Sequence, residues 1–179
     1  MKKYILRYSL IASIILIVIF SVSFIMMSED NPDYALSELI GYSAMIISLA
    51  TIFFAIKHFR DRELNGNISF KKALGLGCMI ALIVALVFVC FDLFYVAVID
   101  PDFMVKYQAY QVELMEAEGA DQDAIDAMNT EFEAFQGPMG RVLMELVMLF
   151  TVFVIGLIIS LISAAVLKSE PTTVQAKPA

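Results

Sequence analysis

The chain has very few of the residues on which soluble catalysis usually depends. It holds 1 histidine, 2 cysteines and 8 glycines in 179 residues. His58 alone cannot supply the clustered imidazole ligands of a membrane metalloenzyme, nor does a glycine-flanked serine have a histidine partner for acyl transfer. Gly75-Leu76-Gly77 is a lone fragment of a phosphate-loop pattern inside an apolar run, where glycine serves packing. An aspartyl-type site needs two carboxyls in one place, and Asp92 with Glu145 is a poor candidate. Catalysis, a cofactor and a metal are therefore not expected. Cys78 and Cys90 fall on one predicted helix, 12 positions apart, which is roughly 18 Å along its axis. They cannot bond within one chain, read as small hydrophobes, and say little about redox compartment.

Basic residues are also scarce over one long stretch. Between Asp100 and Gln136 there are 10 carboxylates against one lysine, Lys106, and the whole chain carries a net charge of −7. Nucleic acid is excluded as a partner there by like charge. Asp121, Asp123 and Asp126 faintly resemble the opening of a calcium loop, but no glycine follows at the sharp turn and Met128–Glu133 continues as helix. A solvated acidic helix face is the reading adopted.

What the chain has in abundance is apolar length. Hydrophobic residues make up 60% of it and its mean hydropathy is +0.81, well above the roughly 45 to 50% apolar share of soluble domains. Uncharged runs cover Tyr8–Ser28, Leu39–Ile56, Ala73–Phe91 and Leu146–Leu167, each close to the ~17 to 25 residues that cross a bilayer. These predict an all-α, four-helix transmembrane bundle, residues 1–167, with helices over about 6–28, 38–58, 72–99 and 141–167. A basic start before an apolar run also describes a secretory signal, but the run exceeds the ~7 to 15 residues of a signal core. Phe24-Ile25-Met26-Met27 is not a small-residue cleavage site either, so a retained anchor is expected.

Orientation follows from the cations, which resist translocation. Lys2, Lys3, Arg7, Lys57, Arg60, Arg62, Lys71, Lys72, Lys168 and Lys177 fall on one side, leaving only Lys106 and Arg141 for the other. Both termini are expected in the cytoplasm of a bacterial inner membrane, with 168–179 a disordered cytoplasmic tail. Lys57, Arg60, Arg62, Lys71 and Lys72 would meet anionic headgroups at about 1 kcal/mol each. The sequon Asn67-Ile68-Ser69 lies on the wrong side for glycosylation. Asn65-Gly66 marks a chain reversal there, with Ser69 a candidate cap for the next helix, and Glu29–Asp33 reads as the turn between the first two spans.

Residues 103–136 form the one segment outside the spans large enough for structure of its own. Phe103, Tyr107, Tyr110 and Leu114 recur at helical spacing, as do Ile125, Met128, Phe132 and Phe135. An extracytoplasmic amphipathic helical hairpin is predicted, broken at Gly119, with Asp121 or Asp123 capping its second helix and Gly137-Pro138 leading back to the membrane. Small residues recur every four positions within the spans: Ser9 and Ser13; Ser37, Gly41, Ala44 and Ser48 in two rows; Gly77, Ala81 and Ala85; Gly156, Ser160 and Ala164. Such rows let backbones approach closely, and each row could also meet a second copy.

Ionisable groups inside the spans are the candidates for function, because their burial in hydrocarbon is costly. Asp92 and Glu145 qualify, with Arg141 one turn from Glu145 on the same face and Tyr42 and Glu38 entering the second helix at similar depth. The expected feature is an outer-leaflet polar cluster of Asp92, Arg141, Glu145 and Tyr42. It acts either as a structural lock, with Arg141 satisfying a carboxyl or Asp92 carrying a proton, or as a vestibule for a proton or small cation. Inward of it the polar residues are mainly Ser48, Thr51 and Ser160, so the path stops halfway. The resulting reading is a structural, interaction or accessory membrane component, with a membrane-protein partner or a second copy. A small transporter or channel subunit is the alternative.

Ile52-Phe53-Phe54-Ala55-Ile56-Lys57-His58-Phe59-Arg60-Asp61, then Asn65-Gly66-Asn67-Ile68-Ser69-Phe70-Lys71-Lys72-Ala73-Leu74, then Tyr95 and Ile99-Asp100-Pro101-Asp102-Phe103, resemble the bacterial DUF4199 family in order and spacing. The resemblance implies a four-helix integral membrane protein with a longer outer segment between helices three and four. It implies no activity, cofactor or catalytic residue. Where that pattern often has paired glycines before Ile-Ser-Phe, this chain has Asn65-Gly66-Asn67, which keeps the turn.

Overall fold

Helices start and stop where the chain supplies partners for end groups that helical bonding leaves free. In the computed structural model, which describes residues 1–26, 33–135 and 137–169, these are α1 (Lys2–Met26), α2 (Tyr34–Leu49), α3 (Thr51–Glu63), α4 (Phe70–Phe94), α5 (Phe103–Ala117), α6 (Gln122–Phe135) and α7 (Pro138–Leu167). A π-helical turn, Tyr95–Ile99, extends α4. No strand occurs among the described residues. Asp33 caps α2 by accepting from the Leu36 amide at 2.9 Å, and Asp121 caps α6 through Ala124 at 2.9 Å. Ser69 occupies the position before α4 without a side-chain cap. Asn65, Gly66, Gly119 and Gly137 take positive φ at the reversals, and Pro138, which has no amide to satisfy, opens α7.

Four helical stretches are long and apolar enough to cross a membrane: Lys2–Ile25, Tyr34–Glu63, Phe70–Ile99 and Pro138–Leu167. The second is α2 and α3 end to end. At their junction, Ser48 Oγ donates to the Met45 carbonyl at 3.0 Å and Thr51 Oγ1 to the Ser48 carbonyl at 2.7 Å. Such hydroxyl back-bonding bends helices, and it accounts for the interruption at Ala50 without a proline. Residues 29–32 of the anticipated first turn, Gln136, and 170–179 of the anticipated tail lie outside the described residues. Lys168 and Ser169 are described. The Ser169 amide donates to the Ile68 carbonyl and its hydroxyl to the Gly66 carbonyl, at 3.0 and 2.7 Å. Those bonds, with Arg60 donating to the Leu167 carbonyl at 3.4 Å, tie the α3–α4 reversal to the end of α7.

The core sits between α1, the α2–α3 span, α4 and α7. Leu49, Ile52, Leu76, Ile80, Val84 and Val152 are fully buried in it. The closest approach is α4 against α7, through small residues. A methyl group on Gly77 would strike Ser160 and press on Ile52, and one on Gly156 would strike Ala81. Ser160 tolerates this dry seam because its hydroxyl donates to the Gly156 carbonyl of its own helix at 2.6 Å. Gly75, two positions from the seam, has open space around it.

Gly156→Leu, measured by reversible unfolding in mixed micelles, should cost about 1–3 kcal/mol or more from overpacking. Gly75→Leu should leave stability within about 0.5 kcal/mol. Equal costs at the two positions would show that the seam does not set the packing.

Candidate functional site

The two ends of the bundle differ in charge. The basic end collects Lys2, Lys3, Arg7, Lys57, Arg60, Arg62, Lys71 and Lys72, all on the helix ends and reversal described above. There the Tyr8 hydroxyl meets His58 Nδ1, and the Tyr4 hydroxyl donates to Glu63 at 3.1 Å. Both contacts join α1 to α3, so the single histidine serves as a crosslink between helices. Lys72 lies 5.6 Å above the Phe59 ring, a cation–π contact of modest strength at an exposed site.

The opposite, acidic end carries α5 and α6. Their apolar stripes pack into an aromatic layer: Phe24 stacks on Tyr95 with centroids 3.9 Å apart, Tyr34 meets Tyr110 at 4.8 Å, and Tyr107 meets Phe132 at 6.2 Å. Gln108 donates to Asn129 at 2.8 Å between α5 and α6. The layer is tied to α2 by Tyr107, whose hydroxyl donates to Glu38 at 2.5 Å while accepting from Gln111 at 2.8 Å. Burial first, then the bond to Glu38, pushes the Tyr107 phenol from 10.0 up to about 12. The donor therefore stays protonated at physiological pH. Its contribution is complete below pH ~10 and is lost as the pH rises through about 12.

Beneath this layer, Asp92 on α4 and Glu145 on α7 bring their carboxyls together in one cleft. Nothing in the spacing of these residues along the chain points to a shared carboxyl site. The antiparallel register of α4 and α7 creates it. Two carboxylates this near each other repel if both are ionised. One Glu145 oxygen, Oε2, is buried and has no hydrogen-bond partner among the described residues. Arg141 stands one turn away on the same helix face, exposed, and closes no ion pair among the described residues. These three side chains line a cleft of about 220 Å³, roofed by Gln108 of α5 and by Phe132 and Phe135 of α6.

Tyr42 does not line the cleft. It is 54% exposed on α2, while Glu38, one turn before it, is engaged with Tyr107. Gln108 was not anticipated, since a lone glutamine on an amphipathic helix carries no signal. Phe132 and Phe135 were legible only as an apolar stripe. Asp121 and Asp126 are engaged locally, with Ala124 and with Gln122 at 2.9 Å each. Among the described residues, no group of three or more His, Cys, Asp or Glu side chains is placed to hold a metal.

A family model described as a protein of unknown function, DUF4199, matches residues 7–169. The chain belongs to that family. The match takes in all four spans, α5, α6 and the carboxyl pair of this DUF4199 chain. No curated protein and no solved structure matches it. The family description supplies no activity.

Tyr107→Phe should weaken the attachment of the α5–α6 layer by about 1 kcal/mol, the low side for a hydrogen bond to a carboxyl because the group is partly exposed. Faster hydrogen exchange confined to 103–135 at neutral pH is the expected reading. Unchanged exchange there would show that the aromatic contacts alone hold the layer.

Proposed function

We propose that this chain is a multi-pass protein of the bacterial cytoplasmic membrane, with both termini inside and the α5–α6 layer outside. In this reading it serves as a structural, interaction or accessory component, not as an enzyme. The separation of charge between the two bundle ends carries the orientation, because cations stay on the cytoplasmic side whereas acidic segments pass through. The accessory role rests on the packing. Between the carboxyl pair and the basic end, the interior is filled by fully buried Leu, Ile and Val side chains. The buried hydroxyls of Ser48 and Ser160 are spent on carbonyls of their own helices, and those without a partner among the described residues, Ser9 and Ser13, sit together on α1 and form no polar path toward the carboxyl pair. A conduit would need polar groups free to serve a passing ion. The partner surface in this reading is the α5–α6 layer, and the basic residues Lys57, Arg60, Arg62, Lys71 and Lys72 rest on anionic headgroups.

One observation favours a second reading, a small transporter or channel subunit: a carboxyl pair inside a span with an unpartnered oxygen. Asp92→Asn separates the two. Loss of conductance or of proton-coupled uptake in vesicles supports transport, and a change in stability alone supports the structural role.

For orientation, cysteines placed singly at Gln122 and Thr173, in a background with Cys78 and Cys90 replaced by alanine, are treated with an impermeant maleimide on intact cells. Labelling at 122 and protection at 173 is the expected result. Reaction at both, or at neither, removes the proposed topology. Mild crosslinking before purification should recover a foreign membrane partner bound through α5–α6. A homo-oligomer enclosing a continuous polar lumen would instead establish the transport reading.

A further inference from the structure

The carboxyl cleft continues sideways. A second, larger depression of about 580 Å³ shares Gly137, Arg141 and Glu145 with it and runs along Val89 and Leu93 of α4 and Val142, Leu146 and Leu149 of α7. Leu93, Val142 and Leu146 are exposed there, at 39%, 54% and 56%, so this groove opens outward between the helices. Arg141, Glu145 and Leu149 follow one another at four-residue intervals on a single face of α7. A cation, a carboxyl pair and an apolar trough therefore succeed one another along the helix axis.

Depth gives that order a chemical meaning. The α7 span of 30 residues is ~45 Å long against a hydrocarbon core of ~30 Å, so each end overshoots by roughly 7 Å. Glu145 follows Pro138, and Asp92 precedes Ile99, by 7 residues each. That distance, roughly 10 Å, puts the pair just inside the hydrocarbon boundary. Arg141 lies roughly 6 Å nearer the helix end, at headgroup level. A membrane amphiphile in its normal orientation presents phosphate, glycerol oxygens and acyl chain in the same sequence.

We propose that the joined clefts bind one glycerophospholipid, with its phosphate on Arg141, a glycerol ester carbonyl on the Asp92–Glu145 pair, and an acyl chain along Leu93, Leu146 and Leu149. The guanidinium, which closes no ion pair among the described residues, supplies charge complementarity to the phosphate. Glu145 Oε2, buried and without a hydrogen-bond partner among the described residues, donates to the ester carbonyl in the bound state, with Glu145 as the protonated member of the pair. Gln108, Phe132 and Phe135 close the site from above, so the lipid would couple α4 and α7 to the α5–α6 layer. The proposal rests on the membrane placement above but not on a partner protein, and it holds for either role of the chain.

The test is native mass spectrometry of the full chain released from micelles containing phosphatidylglycerol, phosphatidic acid or diacylglycerol at equal mole fraction. Retention of one phosphatidylglycerol or phosphatidic acid, and no diacylglycerol, is expected. Arg141→Gln should cut retention about tenfold, the loss expected for a charge-assisted bond, while Arg141→Lys restores most of it. Paired replacement Asp92→Asn with Glu145→Gln should reduce retention several-fold at unchanged helicity. Lys106→Gln, which removes a cation of the same end that is engaged with Asp100 at 2.8 Å and lines neither cleft, should have no effect. Equal adducts in the wild-type chain and the Arg141→Gln chain would mean ordinary surrounding lipid and would overturn the proposal. So would displacement by millimolar glycerol 3-phosphate, which would make the ligand a soluble phosphate ester. If Arg141→Gln fails to fold, loss of retention in the Lys variant as well overturns the role of charge, and full retention upholds it.

Discussion

The dry seam between α4 and α7 is the constraint on which the rest of the molecule depends. In lipid there is no hydrophobic gain from bringing helices together, since acyl chains are as apolar as leucine, so close backbone approach and dispersion must supply the attraction. Gly77 and Gly156 provide that approach, each lying where a methyl group would collide with the facing helix. Flanking the seam, Ile52 packs over Gly77 and Leu49 near Gly156, which fixes the bent α2–α3 span against both helices.

A seam of this kind fixes register as well as distance. Moving four positions up α4 from Gly77 to Ala81 moves four positions back along α7 from Ser160 to Gly156. Carried eleven positions further in the same register, α4 arrives at Asp92 as α7 arrives at Glu145. The carboxyl pair is thus a geometric consequence of glycines more than 15 Å away along the axis, at ~1.5 Å per residue. A slip by one position would rotate one carboxyl out of the pair, so packing at mid-span and chemistry near the end are set by the same contacts.

That link explains what could be read from the chain and what could not. The spans were legible because bilayer-length apolar runs are a strong, local signal. Their ends were less so: the second span begins at Tyr34, since Asp33 caps it, and the fourth at Pro138, since proline starts helices well. Asp92, Arg141 and Glu145 stood out singly as ionisable groups among apolar neighbours. Their meeting was not legible, because register between helices separated by more than forty residues of intervening chain is written in small-residue rows that fit several alignments equally well. Tyr42 shows the converse. Similar distance along a span does not place two residues on facing sides, and α2 turns Tyr42 outward while Glu38 is taken up by Tyr107.

The acidic end is also where regular helix gives way. The π-helical turn Tyr95–Ile99 begins three residues after Asp92, and Gly137, at φ +90°, lies four residues before Arg141. A π turn widens the helix and reorients the residues within it, and here it presents Tyr95 to Phe24 and Phe103. Gly140, whose missing side chain leaves room for the backbone of Ala134 and Phe135, lets the end of α6 settle directly on α7. Because both departures flank the polar residues, α5 and α6 attach above the carboxyl pair, with Gln108, Phe132 and Phe135 covering it from that side. Two carboxyls placed this near each other repel if both are ionised, so the elements that cover them act on the same polar residues that the seam brings together. The glycine turns therefore place the aromatic layer over the pair, just as the seam brings its two members side by side.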